Sequence, residues 1–391
     1  MPKFTVVTDK SKNVILRLWD KIKARGLRGI IIPLVILLVI VTGIFLFLNR
    51  PYSSYEVMSS FSSGTGASVK YSSYKAGVLR CSNDGVTYFN DKLEQQWSQG
   101  FDMQSPMLDV CGDYIAVADV QGSDVYVFNS QGLIKKIELT NSVEQICVNA
   151  KGYVFTVLGG QDRKMLRYYN SSGELIAEGM AQLTKTGYPL SCDISEDGRL
   201  FAVSYLFVSN GMSKTNLVFY NFDESGQTSI DRIVSSYEYD SCIFPEIRFM
   251  GNETAVAIGD SQALIFQGHD KPSLSKTIDF SKELKSVFFG DDRFGLTFKN
   301  NGEENPYTTE VYKANGNRIG NFSMDIHYDS IVFSGDNVLA YSDQECKLYS
   351  MSGGVRFNYT FDKKIMQIQP INSGSRYILA ASDQAQIIKL K

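Results

Sequence analysis

The chain is poor in the residues that most often carry chemistry. Only two of its 391 residues are histidine, His269 and His327, and neither has a Cys or His partner at the spacing of a metal site. Six cysteines occur (Cys81, Cys111, Cys147, Cys192, Cys242, Cys346), with no C-x-x-C and no short-range pair. That argues against a zinc module or a dithiol motif. Four of the six sit inside apolar strand patterns, which reads as buried free thiols; the even count leaves disulfides open. There is no G-x-S-x-G elbow and no phosphate-binding loop. Asp and Glu are scattered through turns, where their side chains suit the geometry. A glycosidase-like carboxylate pair would meet only in space and leave no mark on the sequence. The expectation is a protein that is not an enzyme and uses no cofactor or metal.

Charge is missing altogether from residues 30–48, IIIPLVILLVIVTGIFLFL. Nineteen apolar residues in helix are long enough to cross a bilayer core of about 30 Å, and Pro33 then falls in the first turn, where a missing N–H matters least. Before this stretch, residues 1–29 hold eight Lys/Arg against two Asp, a net +6, which leaves −9 for the rest of the chain. Basic flanks stay cytoplasmic, so residues 49–391 are expected outside. The run exceeds the 7–15 residues of a cleaved leader, and no A-x-A comes after it. It therefore reads as an uncleaved signal-anchor with a single pass through the cytoplasmic membrane. Residues 11–28 resemble a basic amphipathic helix lying on the inner leaflet; a disordered basic tail that only sets topology fits equally well. The acidic remainder lacks the basic stripes of a nucleic-acid binder.

Residues 49–68 are rich in Ser and Gly and read as a linker, although 52–58 could supply a strand to the C-terminal fold. From 69 to 391 the helical period vanishes and two short elements alternate. The first is a turn followed by an apolar run: 112–117 (GDYIAV), 151–155 (KGYVF), 197–203 (DGRLFAV), 251–257, 291–296, 336–340 and 374–380. The second is a strand ending in an aromatic, then a polar turn, as in 125–134 (VYVFNSQGLI) and 166–175 (LRYYNSSGEL). Its aromatics Phe89, Phe128, Tyr169, Tyr220, Phe266, Tyr312 and Tyr349 are spaced by 39, 41, 51, 46, 46 and 37 residues. A period of roughly 40–50 with four strands per unit predicts an all-β fold, a β-propeller. Eight copies, the last cut short by the chain end, favour eight blades over seven. Ring closure would then pair an N-terminal strand with the C-terminal unit.

The stretch 195–203 (SEDGRLFAV) resembles the turn of WD40-like propellers. The hairpin 125–134 resembles the quinoprotein-type propellers, a group that includes the scaffold lipoprotein of outer-membrane barrel assembly. The layout of basic tail, span and propeller is similar to single-span membrane proteins of Gram-positive bacteria. The resemblance implies architecture more than activity. The quinoprotein dehydrogenases need a docking tryptophan in nearly every blade, whereas this chain has only Trp19 and Trp97, so their chemistry is not implied.

One region departs from the repeat. The link 179–190, the loop 204–215 (SYLFVSNGMSKT) and the link 237–245 are long and fall on one face around a single blade. Their Tyr188, Tyr205, Phe207, Met212, Tyr237, Tyr239 and Phe244 are the candidate binding residues, since long loops on a rigid ring often carry function. The competing reading is that Tyr205 and Phe207 continue a strand into a long hairpin, which predicts alternating burial. The sequence thus leads to the expectation of a binding or scaffolding module whose partners are envelope proteins or cell-wall polymer. A sensor or enzyme for an extracellular glycan or small ligand at the propeller channel is the alternative.

Overall fold

The computed structural model describes residues 26–48, 50–62, 69–209, 211–302, 304–371, 375–381 and 384–391. They form two compact units, divided after Pro51. In the first, helix α1 spans Gly26–Leu48. It begins four residues before the apolar stretch, so Pro33 lies in the helix interior and leaves the Gly29 carbonyl without its usual donor. The side chains of this helix are described only at 31–40, 42 and 43, and among the described residues no helix is long and apolar enough to cross a membrane, so the span expected over 30–48 is not shown. The basic segment before residue 26 lies outside the described residues.

The second unit is an eight-bladed propeller. Each blade is a four-stranded antiparallel sheet. Blades 1 to 7 take residues 70–100, 106–138, 143–182, 188–239, 246–279, 284–324 and 330–360 in turn. Blade 8 takes 365–371, 376–381 and 384–390, and its fourth, outermost strand is 55–62. Half of the expected linker is therefore structural. Tyr55–Ser62 pairs antiparallel with Gln384–Leu390 from Tyr55↔Leu390 to Ser62↔Gln384. Tyr55 is half-buried and packs on Tyr359 and Phe361 with ring centroids 5.0 and 5.5 Å apart, whereas Glu56, Val57 and Met58 are exposed, as an outer strand allows. The join is fastened where the ends meet. Lys391 N–H donates to the Ser54 carbonyl at 2.8 Å, Ser53 N–H donates to the Lys391 carbonyl at 2.8 Å, and the Lys391 ammonium lies 2.8 Å from Glu56.

The two sequence elements map onto fixed strands. The turn-plus-apolar element is the second strand of its blade, and it is buried on both faces, as at Ile115–Ala118 or Ala255–Ile258. The reference aromatics are each the last or last-but-one residue of the third strand. In blades 1 to 7 the pairing of third and fourth strands shifts register immediately at that aromatic: Phe89, Phe128, Tyr169, Tyr220, Phe266, Tyr312 and Tyr349. A bulge there sharpens the twist that a propeller blade requires.

The core lies in the seams. Among the described residues eight clusters of buried apolar side chains are present, and each joins two neighbouring blades, from blades 1 and 2 round to blades 8 and 1. Seam packing is tight. Gly295 faces Phe288 across blade 6, and a Cβ there would come within 2.1 Å of the Phe288 ring. That ring in turn packs on Phe333 of blade 7 at 4.5 Å. Gly295→Ala is expected to destabilise the fold by about 1–3 kcal/mol through overpacking, read as a lowered denaturant midpoint at unchanged slope.

Candidate binding surface

Blade 4 carries the longest hairpin. Its second and third strands, Leu200–Ser209 and Met212–Asn221, pair continuously from Leu200↔Asn221 to Ser209↔Met212. The flanking strands stop short: Tyr188 of the first strand faces Leu206, and Tyr239 of the fourth faces Thr215. Residues 207–209 and 212–214 therefore extend beyond the paired flanking strands. The loop expected at 204–215 is a continued strand pair, but its burial does not alternate: it falls from Ser204, Tyr205 and Thr215 at the base to Val208 and Met212 towards the end.

Burial separates the seven residues nominated from the sequence. Tyr205 is fully buried in the seam with blade 3, its hydroxyl 2.9 Å from that of Tyr220. Phe244 is fully buried in the seam with blade 5 and packs against Tyr239 at 5.0 Å. Tyr237 belongs to the same seam and packs on Phe266 at 4.9 Å. Phe207 is half-buried. Tyr188 and Met212 are exposed, and Val208, which precedes the turn to Met212, is 70% exposed. Tyr188 is held by its surroundings: the Lys164 ammonium sits 5.3 Å from its ring and 2.6 Å from Glu144. No single aromatic patch results. Val208 and Met212 make the end of the hairpin apolar, Tyr188 stands apart on the first strand, Tyr205 and Phe244 are core, and Phe207, Tyr237 and Tyr239 are half-buried.

A second feature of this blade was not visible in the sequence. On the outer side of the blade 3–blade 4 seam lies a cleft of about 520 Å³ walled by Phe155, Tyr168, Phe201, Tyr205, Tyr220 and Phe222. Met180 and Ile233 also line it, and both are exposed. Blade 4 forms one lip with an insertion between its third and fourth strands, where Asp231 and Arg232 both take positive φ, 53° and 59°. For residues with side chains this backbone is strained. Arg232 is held there by a hydrogen bond to the Phe222 carbonyl at 3.3 Å and by stacking over that ring. Burial pushes the hydroxyls of Tyr205 and Tyr220 up, so both stay neutral.

The first strands of blades 2, 3, 4 and 5 run side by side around the axis, and polar side chains latch them together. Asp109 accepts from Val148 N–H at 2.7 Å. Asp193 accepts from Phe249 N–H at 2.7 Å and from Ile194 N–H at 2.9 Å. Gln145 donates to the carbonyls of Pro189 and Leu190 at 3.0 and 3.1 Å. Asp193 is half-buried. Burial first, then the negative charge of Asp109, pushes its carboxyl up to about 7, against the pull of these N–H groups and of Arg248. Asp109 is raised too, again mainly by burial. Burial and the surrounding carboxylates push the Cys111 thiol up to about 12. Between blades 5 and 6 a cleft of about 660 Å³ opens, where Arg248 stacks on Phe289 at 5.2 Å and pairs with Glu246. Among the described residues no group of three His, Cys, Asp or Glu is placed to hold a metal.

Comparison with solved structures agrees with this architecture. BamB from Moraxella catarrhalis superposes with a TM-score of 0.56 at 10% identity, covering 86% of this chain and all of that one. A eukaryotic initiation factor gives 0.52 at 10% identity, over 85% of this chain and 84% of that one. The Pan2 WD40 domain of Neurospora crassa gives 0.47 at 8% identity, over 88% and 96%. At such identities the likeness is one of fold. No curated protein matches. Residues 48–390 match the family described as "Family of unknown function (DUF5711)", and the chain belongs to that family.

Proposed function

We propose that this family member is a non-catalytic binding or scaffolding module: a propeller held outside the cytoplasmic membrane by residues 30–48, with envelope proteins as partners. The observation that carries the binding reading is the mouth of the blade 3–blade 4 cleft. It combines a pocket lined by six aromatics with an exposed Met180 on the blade 3 lip and an exposed Ile233 on the blade 4 lip. Exposed apolar surface beside a preformed aromatic pocket is what an anchor residue of a partner fills. The projecting tip of blade 4, with Val208 and Met212, adds a second apolar contact. The membrane tether is supported by the uncharged 30–48 run and the +6 charge before it.

The test places a photo-cross-linking residue at Met180 or Ile233, with Asn358 on the outer strand of blade 7 as the control, in the full chain in cells. Discrete protein adducts are expected from the first two positions and none from the control. Equal adducts from all three, or none from any, would remove the reading. In the same cells externally added protease should reach the propeller; full protection would refute the topology. The raised carboxyls of Asp109 and Asp193 favour the second reading, a small-ligand sensor or enzyme at the channel. Against it stands their engagement with backbone N–H groups of the next blade, which leaves them as latches rather than free acids.

A further inference from the structure

Cys147 and Cys192 lie opposite each other on the first strands of blades 3 and 4, and their sulfurs are 3.3 Å apart. The Cys147 thiol donates to the Cys192 carbonyl at 2.9 Å, and the Cys192 thiol points to the Gln145 side-chain oxygen at 3.4 Å. Gln145 is itself fixed by its amide bonds to Pro189 and Leu190. The register of the two strands is thus set one step from the sulfurs on the same side. Both thiols are buried, 7% exposed each, in the cluster that fills this seam. The other four cysteines lie elsewhere, in blades 1, 2 and 7 and in the link after blade 4.

We infer that Cys147 and Cys192 form a reversible disulfide that staples blade 3 to blade 4 at the inner end of their seam when the protein meets a low-molecular-weight disulfide. Bond formation needs the sulfurs to close to about 2.05 Å, an approach that side-chain rotation and a small shift of two adjacent strands supply. The reaction is thiol–disulfide exchange. One thiolate attacks the oxidant, expelling one of its halves as a thiol and leaving a mixed disulfide. The second thiolate then displaces the other half. Two protein S–H bonds are lost, one protein S–S bond forms, and the oxidant leaves as two thiols carrying both electrons and both protons. The neighbouring thiol and burial hold the Cys147 thiol well above its ordinary value, so the exchange is slow at neutral pH and faster as pH rises. Once made, the bond closes a loop between residues 45 apart and rests at the back of the seam whose front is the aromatic cleft.

The full chain, reduced and then incubated with glutathione disulfide at pH 8, is the test. The expected product has lost two hydrogens by intact mass, carries four alkylatable thiols after denaturation instead of six, and gives a non-reduced peptide map that joins Cys147 to Cys192. Its melting temperature should rise by several degrees and return with reductant. Cys111→Ser should react like the parent; Cys147→Ser and Cys192→Ser should each keep five thiols. Six thiols after prolonged oxidation, a map joining any other pair, or a bond that forms only in urea would overturn the assignment.

Discussion

Deletion of residues 384–391 abolishes the cooperative fold. These residues hold the third strand of blade 8, and among the described residues they are the one strand hydrogen-bonded to the N-terminal strand 55–62. Their loss strips Ala385, Ile387, Ile388 and Leu390 from two seams, all at most 4% exposed. Removing three large buried side chains forfeits roughly 5–9 kcal/mol of burial, comparable with the whole stability of about 5–15 kcal/mol of an ordinary fold. It also leaves 55–62 unpaired and the second strand of blade 8 an open edge, inviting association. The truncated chain is expected to melt without a cooperative transition and to elute as aggregates. A sharp melt close to that of the intact chain would mean that the other seven blades close the ring by themselves.

The second large effect is a change of pH dependence on Asp193→Asn. In the folded chain the Asp193 carboxyl titrates at about 7, whereas an unfolded Asp titrates near 3.9. Between those values the folded state holds a proton that the unfolded state has released. Stability from this group is therefore complete below about pH 4 and is lost progressively up to about pH 7. Asn cannot ionise, so its stability relative to the parent should climb across that window, by up to about 4 kcal/mol for a three-unit shift and by less where channel water reaches the carboxylate. Comparing relative stability across the pH window cancels the fixed cost of giving Asn one acceptor where Asp offers two. Urea unfolding of both proteins at pH 4, 5.5, 7 and 8 measures it. Parallel stability curves would mean that Asp193 titrates as an ordinary carboxylate.

The repeat was legible because its marker residues have a strict structural duty. An aromatic is needed where the third strand bulges, and an apolar run is needed where the second strand is covered on both sides. Even the closing strand could be anticipated from an incomplete first and last unit. The site was legible only in part. The extra length around blade 4 was plain from the 51-residue spacing, but not which way each side chain points. Register shifts between Pro189 and Ser191, and again at Phe219 and Tyr220, break a simple two-residue period across the blade. Tyr205 lies in the seam with blade 3, Tyr237 and Phe244 in the seam with blade 5, and Tyr188 is exposed. The channel latches were hidden for another reason. Asp109 and Asp193 are 84 positions apart and look like ordinary polar residues of half-exposed strands; only closure of the ring brings their charges within reach of each other.

The strand that closes the ring is made first and used last. Residues 55–62 leave the ribosome more than 300 residues before 384–390. At about 5–20 residues per second the wait is on the order of 15–60 s. Blades 1 to 7 can form in order as the chain appears, each resting on its predecessor, while the first strand stays unpaired. Its composition, YEVMSSFS, suits that wait: one charge and three serines among the apolar positions lower its tendency to pair with the wrong edge. Completion of the ring is therefore timed by residues 384–390. A pause in synthesis just before them would hold a nearly finished ring open, with strand 55–62 exposed to whatever else is folding beside it.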